Sequence, residues 1–198
     1  MAYRNLIFDV GGVLLGYRWK DMLLDYGMTE EEAVRFSRMM FEDPLWKELD
    51  LEILPFEEVV GLYQKKFPEH AKDIGWFLHH AEQMPLPRPR VWERVHELKK
   101  KGYRIYLLSN YSSVLLGLHT KDASFLEDLD GKVVSYEIHK LKPFPEIYKC
   151  LFERYHLNPA ECLFFDDRRE NVEGSIACGM DAKWVTDEET LLGYLKEL

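Results

Sequence analysis

The chain predicts an α/β fold, a parallel sheet covered by helices and interrupted by a helical insertion, on three observations. Short apolar runs, LIF from Leu6, the YRIYLL run from Tyr103 and CLFF from Cys162, have the length and lack of alternation of strands buried on both faces. After about residue 85 these runs alternate with stretches of helical periodicity, the order that builds βαβ units. From Tyr17 to about Met84, by contrast, helical patterns follow one another with almost no strand-like alternation.

Leu6, Ile7 and Phe8 make the first strand, which stops at Asp9 and the glycine pair Gly11 and Gly12. WKDMLLDYG reads as a helix ending at Gly27, and Thr29 with Glu32 forms a capping box that opens TEEEAVRFSRMMF. Phe56, Val59, Val60, Tyr63 and Phe67 share one face of a helix that starts near Pro55. EHAKDIGWFLHHAEQM is a further helix, and the Pro-rich MPLPRP that follows reads as a stiff connection. Val91, Val95 and Leu98 stripe a helix closed by three lysines and Gly102. YRIYLLSN is then a strand, about Phe144 to His156 a helix, and CLFF a strand ending in Asp166 and Asp167. About Arg169 to Cys178 is a helix, AKWV a short strand, and Thr186 with Glu189 caps a last helix.

At 198 residues the chain can bury one good core, or a core and a small satellite. A hydrophobic content of 46% argues against disorder, and the formal net charge of -9 leaves no basic footprint for nucleic acid. Cys150, Cys162 and Cys178 are an odd set without C-x-x-C spacing, which fits reduced thiols in a cytoplasm. Asp9 interrupts the first apolar run well short of a membrane-spanning length, so the expectation is a soluble cytoplasmic protein that meets neither membrane nor nucleic acid.

Three strand ends carry polar groups: Asp9, Ser109 with Asn110, and Asp166 with Asp167. In parallel neighbouring strands they converge at the carboxyl edge of the sheet, where open α/β folds bind ligands. Lys142, in HKLKPFPEIY, adds a cation. Crowded carboxylates repel one another and any phosphate by about 4 kcal/mol per pair at ~4 Å and an effective dielectric near 20, so a cation must join them. Oxygen ligands and a phosphate select Mg²⁺. Lys142 would neutralise Asp9 and the phosphoryl oxygens, Ser109 and the Asn110 amides would bind the phosphate, and Asp9 would attack phosphorus to form an aspartyl phosphate.

Those residues resemble the haloacid dehalogenase-like superfamily of hydrolases over nearly the whole chain, with FDVGGVL, LLSN, KPFPEIY and FFDDRRENVEGS similar to its four motifs in order and spacing. The resemblance implies a Rossmann-like core, residues 1–15 and 85–198, with a helical cap, residues 16–84, and Mg²⁺-dependent phosphatase activity on small metabolites. It implies that Asp9 is the nucleophile, and that Asp9, the Gly11 carbonyl and Asp167 ligate the metal with Asp166 beside them. Ser109, Asn110 and Lys142 would hold phosphate, and Asn171 would steady the acidic loop.

Most phosphatases of that superfamily carry a second Asp two residues after the nucleophile as general acid and base, and here that position is Gly11. The branch that includes bacterial α-D-glucose-1-phosphate phosphatases also has glycine there, and this chain most resembles that branch. Two expectations follow from Gly11: turnover should favour phosphates with acidic leaving groups such as an anomeric hydroxyl, and Gly11→Asp should raise turnover of alkyl phosphates if the carboxylate fits. The alternative is a binding or regulatory protein that keeps the pocket without turnover. Trp19, Trp46 and Trp76 are expected mainly in the core of the helical unit, and His79 and His80 at its surface.

Overall fold

A computed structural model describes residues 3–198. Strand β1 (Asn5–Phe8) leads through the Asp9 loop to β2 (Leu15–Tyr17) and then to α1 (Trp19–Tyr26), α2 (Glu30–Phe41), α3 (Pro44–Leu51), α4 (Phe56–Lys66) and α5 (Ala71–His79). The chain returns through β3 (Pro85–Pro87) to α6 (Pro89–Lys100), β4 (Arg104–Ser109), α7 (Ser113–Thr120), β5 (Gly131–Val134), α8 (Ser135–Ile138) and α9 (Pro145–Tyr155). It ends with β6 (Cys162–Asp166), α10 (Arg169–Ala177), β7 (Asp181–Trp184) and α11 (Glu188–Lys196).

The five-stranded sheet has the order β5-β4-β1-β6-β7, and each pair is parallel. Phe8 is level with Leu107 of β4 and with Phe165 of β6, so Asp9, Ser109 and Asp166 leave the three central strands at one edge. The burial explains the sequence pattern. Leu6 and Phe8 face a cluster with α6, α7 and α11, and Ile7 faces a cluster with α9 on the other side, so β1 has no solvent face to alternate toward.

The helices between β2 and β3 have an apolar cluster of their own, in which Met22, Phe36, Met40, Tyr63, Ile74 and Phe77 are buried. The Thr29 capping box is present: its hydroxyl accepts from the Glu32 N–H, and the Glu32 carboxylate accepts from the Thr29 N–H. Tyr17, Trp46 and Phe56 pack against both this cluster and the core.

The structure differs from the expected elements in several places. MPLPRP is not a stiff coil: Pro85–Pro87 pairs antiparallel with Leu15–Tyr17, and the two-stranded ribbon joins the helical unit to the core. Proline is tolerated because a two-stranded ribbon consists only of edge strands. The helix expected through the second half of the insertion divides into a short 3-10 turn at Pro68–His70, α5, and another at Ala81–Gln83. Asp187, not Thr186, caps α11, its carboxylate accepting from the Thr190 N–H. Strands β2 and β5 and helices α3, α7 and α8 have no counterpart in the expected list; all are short, and α7 is also apolar almost all round. Among the described residues no helix is long and apolar enough to cross a membrane.

Candidate active site

Asp9 begins the loop that follows β1, its N–H still donating to the Phe165 carbonyl 2.9 Å away. One of its carboxylate oxygens is heavily used. Oδ1 accepts from the Val10 N–H at 2.7 Å and the Ser109 hydroxyl at 2.6 Å, and the Lys142 ammonium lies 3.0 Å from it. Oδ2 makes no hydrogen bond among the described residues. The carboxyl group is therefore held by one oxygen and presents the other, the posture expected of a nucleophile.

Lys142 is enclosed, with 1% of its side chain exposed, and Nζ reaches Asp9, Asp166 at 2.6 Å and the Leu108 carbonyl at 2.9 Å. Burial pulls its pKa down, but Asp166 and Asp9 outweigh that, so the ammonium holds its proton above the ordinary lysine value. Lys140 lies exposed on the loop. Asp166 is fully buried and accepts from Lys142, from the Arg168 N–H at 2.8 Å and from the Asn171 amide at 2.9 and 3.1 Å. Burial raises its pKa against the pull of Lys142. Asn171 thus braces Asp166 from the start of α10, while its carbonyl accepts from the Tyr148 hydroxyl.

Asn110 does something other than expected with its side chain. Its amide donates to the Lys142 carbonyl at 3.0 Å, and its Oδ1 accepts from the Lys142 N–H at 2.9 Å. This closed ring fixes the backbone of the lysine loop, and the Ser109 hydroxyl is likewise engaged by Asp9.

Asp167 is the accessible member of the acidic group. One oxygen from each of Asp9, Asp166 and Asp167 can be chosen so that all lie within 4.8 Å of one another. Enclosure in the cleft, then the charges of Asp9 and Asp166, push Asp167 up to about 7. Gly12, at φ +69°, is required here, since a Cβ would lie 2.3 Å from an Asp167 carboxylate oxygen. Arg88 donates to the Gly12 and Val13 carbonyls at 2.6 and 2.9 Å and ties this loop to the base of α6.

A cavity of about 470 Å³ opens over these groups, lined by Tyr17, Trp19, Phe41, Trp46, Tyr111 and Asp50, with Asp167, Asn110 and Arg168 on the core side. Trp19 and Trp46 therefore wall the site as well as packing in the helical unit, while Trp76 stacks on Tyr26 elsewhere. His79 is at the surface beside Glu57, and His80 bonds the Trp76 carbonyl. The space at Gly11 is filled: a Cβ there would stand 2.4 Å from the Tyr17 hydroxyl. That hydroxyl bonds Tyr111, whose own hydroxyl lies 2.8 Å from His119 Nδ1. Burial lowers His119 to about 4 and raises both phenols far above the ordinary tyrosine value.

A family profile described as haloacid dehalogenase-like hydrolase matches residues 3–179. The chain belongs to this hydrolase family. Among curated relatives, Phosphatase MT3486 of Mycobacterium tuberculosis is 25% identical over 209 residues, covering 100% of this chain and 94% of that protein. The sesquiterpene phosphatase astK of Aspergillus oryzae is 26% identical over 209 residues, covering 100% and 97%. A haloacid dehalogenase-family enzyme of Bacteroides thetaiotaomicron, solved with magnesium and inorganic phosphate, superposes with a TM-score of 0.74 at 20% identity, covering 96% of this chain and 99% of that one. The last likeness establishes the shared hydrolase fold.

Tyr17, Asp50, Tyr111, His119 and Arg88 are absent from the residues that spacing singles out. Gly11 is the one hint in the sequence, since a glycine beside a nucleophile leaves room that another side chain must fill.

Proposed function

We propose that this hydrolase is a Mg²⁺-dependent phosphatase that forms an aspartyl phosphate on Asp9 and acts on a small phosphorylated metabolite, a sugar phosphate. One observation carries the reading: Asp9, Asp166 and Asp167 crowd together with Lys142, the one buried lysine or arginine among the described residues, and Asp9 keeps one oxygen without a hydrogen bond among them. The donor set fits a hard divalent ion, because three carboxylates outnumber the one ammonium and the Asp167 carboxylate has no protein partner among the described residues. Asp9, the Gly11 carbonyl and Asp167 would hold Mg²⁺, with Asp166 adding its charge. When bound, the ion supplies positive charge to the phosphoryl oxygens.

Asp9 Oδ2 attacks phosphorus while Oδ1 stays anchored by Ser109 and Lys142, so little reorganisation is needed as the bond forms. Lys142 tempers the charge of Asp9 and of the incoming phosphoryl group. Ser109 and Asn110, committed to Asp9 and the lysine loop, shape the phosphate subsite more through position than through free side-chain donors. Water then opens the aspartyl phosphate and restores Asp9.

The aromatic walls of Trp19, Phe41 and Trp46 suit the apolar face of a sugar ring, and Glu42 and Arg168 offer polar partners for its hydroxyls. The test is phosphate release from a panel that pairs hexose 1-phosphates with phosphates of apolar alcohols, with Mg²⁺ and with chelator. Metal-dependent release is expected, reduced by about 10⁴-fold or more in Asp9→Asn. Absence of release from every ester would establish the binding-protein alternative, and preference for apolar alcohols would remove the sugar.

A further inference from the structure

We propose that Asp50, carried into the cavity by α3, is the proton donor and acceptor of the reaction, serving the role for which position 11 has no side chain. This inference rests on the phosphatase reading and adds a catalytic group from the helical unit.

The first observation is how firmly the backbone around Asp50 is placed. The Ser135 hydroxyl donates to the Asp50 carbonyl at 2.5 Å, His139 Nδ1 donates to the Leu51 carbonyl at 2.7 Å, and the Glu52 carboxylate accepts from the Ser113 N–H and hydroxyl at 2.5 and 2.7 Å. Three consecutive residues of the helical unit are thus tied to three separate points of the core. The second observation is what this latch leaves free. Asp50 lines the cavity, within reach of the charges of Asp9, Lys142 and Arg168, and no hydrogen bond or ion pair among the described residues engages its carboxylate.

The other polar groups of the cavity are poorer donors. Tyr17 lies over Gly11, but its hydroxyl bonds Tyr111, and burial with the charges of Asp9 and Asp167 would make its phenolate costly. His119 is neutral at pH 7 and is hydrogen-bonded to Tyr111. Arg168 does not release a proton under these conditions. Asp50 differs: enclosure and the charge of Asp9 push it up to about 7, against the opposing pull of Lys142 and Arg168. A group that titrates near the working pH can both give and take a proton.

The step balances. As Asp9 Oδ2 bonds to phosphorus, the bond from phosphorus to the leaving oxygen breaks, that oxygen keeps the electron pair, and the Asp50 proton follows it to give the alcohol. In the second half, Asp50 carboxylate takes one proton from the water whose oxygen attacks phosphorus. Asp9 leaves with the electron pair, phosphate is formed, and Asp50 is again protonated. With this donor present, the sensitivity to leaving-group acidity expected from Gly11 is lost in the native enzyme and appears only when Asp50 is removed.

The test is kcat/KM across phosphate esters from 2,4-dinitrophenyl phosphate to an alkyl phosphate, for the native protein, Asp50→Asn and Asp50→Glu, with Mg²⁺. Asp50→Asn should lose about 10²- to 10⁴-fold on the alkyl ester and less than about threefold on the dinitrophenyl ester. Asp50→Glu should recover part of the loss. Near-native rates on the dinitrophenyl ester also show that the variant is folded. An equal loss on every ester, or no loss on the alkyl ester, overturns the role of Asp50. If the native protein releases no phosphate at all, the phosphatase reading itself fails.

Discussion

On the core side of the cleft nearly every polar atom around Asp9 is held by another: Lys142 by two carboxylates and a carbonyl, Asp166 by three donors, Asn110 by the backbone of Lys142. On the side of the helical unit, the main chain at 50–52 is latched but the Asp50 carboxylate and the faces of Trp19 and Trp46 are open to the cavity. The contrast separates two tasks. Chemistry at phosphorus is the same for every ester and rewards fixed geometry, while the leaving group differs between substrates and needs a surface that can be altered without disturbing the nucleophile.

The largest expected effect comes from breaking the saturated half. Lys142→Met removes the only buried cation between Asp9 and Asp166, and the uncompensated carboxylates should cost about 3–5 kcal/mol of folding free energy as well as turnover. Urea unfolding checks this, and an unchanged midpoint would mean that the core network is not what holds the site together. A smaller effect tests the boundary between the halves. Gly11→Asp needs the space taken by the Tyr17 hydroxyl, so the single variant should lose about 1–3 kcal/mol by overpacking. Combined with Tyr17→Ala, the loss should be largely relieved, giving a non-additive double-mutant cycle. The expected gain on alkyl phosphates is therefore withheld from Gly11→Asp alone.

The smallest effect is a slope. Asp50 and Asp167 both titrate near 7 in the folded chain, against an ordinary value of 3.8. Between those limits the folded state binds more protons than the unfolded one, so without divalent metal, stability should fall as pH rises from about 4 to 7. Thermal midpoints over that range measure it, and Mg²⁺ should raise the midpoint most at the upper end. A rising midpoint without metal would contradict the crowding of these acids.

The difference between the halves also explains what could be read in advance. Asp9, Ser109 and Asp166 end strands whose apolar runs are visible in sequence, and parallel pairing alone carries them to one edge. Lys142 gained its place from KPFPEIY, where it directly precedes Pro143, and Asn171, four residues beyond Asp167, was legible only through the resemblance to the hydrolase motifs. Asp50 and Tyr17 were not, because their places depend on how helices pack across the cleft. No periodicity says that Asp50 faces a cavity or that a phenol fills the room left by a glycine. The ribbon made by Pro85–Pro87 escaped for a similar reason, since proline argues against a strand until the partner strand is known.

The enclosure of Lys142 has a practical side. Amine-reactive reagents dissolved in water can reach Lys140 on the surface of the same loop, but a side chain only 1% exposed stays out of their path while the fold is closed. Its labelling rate is then a clock for opening of the sheet edge, and protection of that one amine counts the molecules whose catalytic centre is assembled.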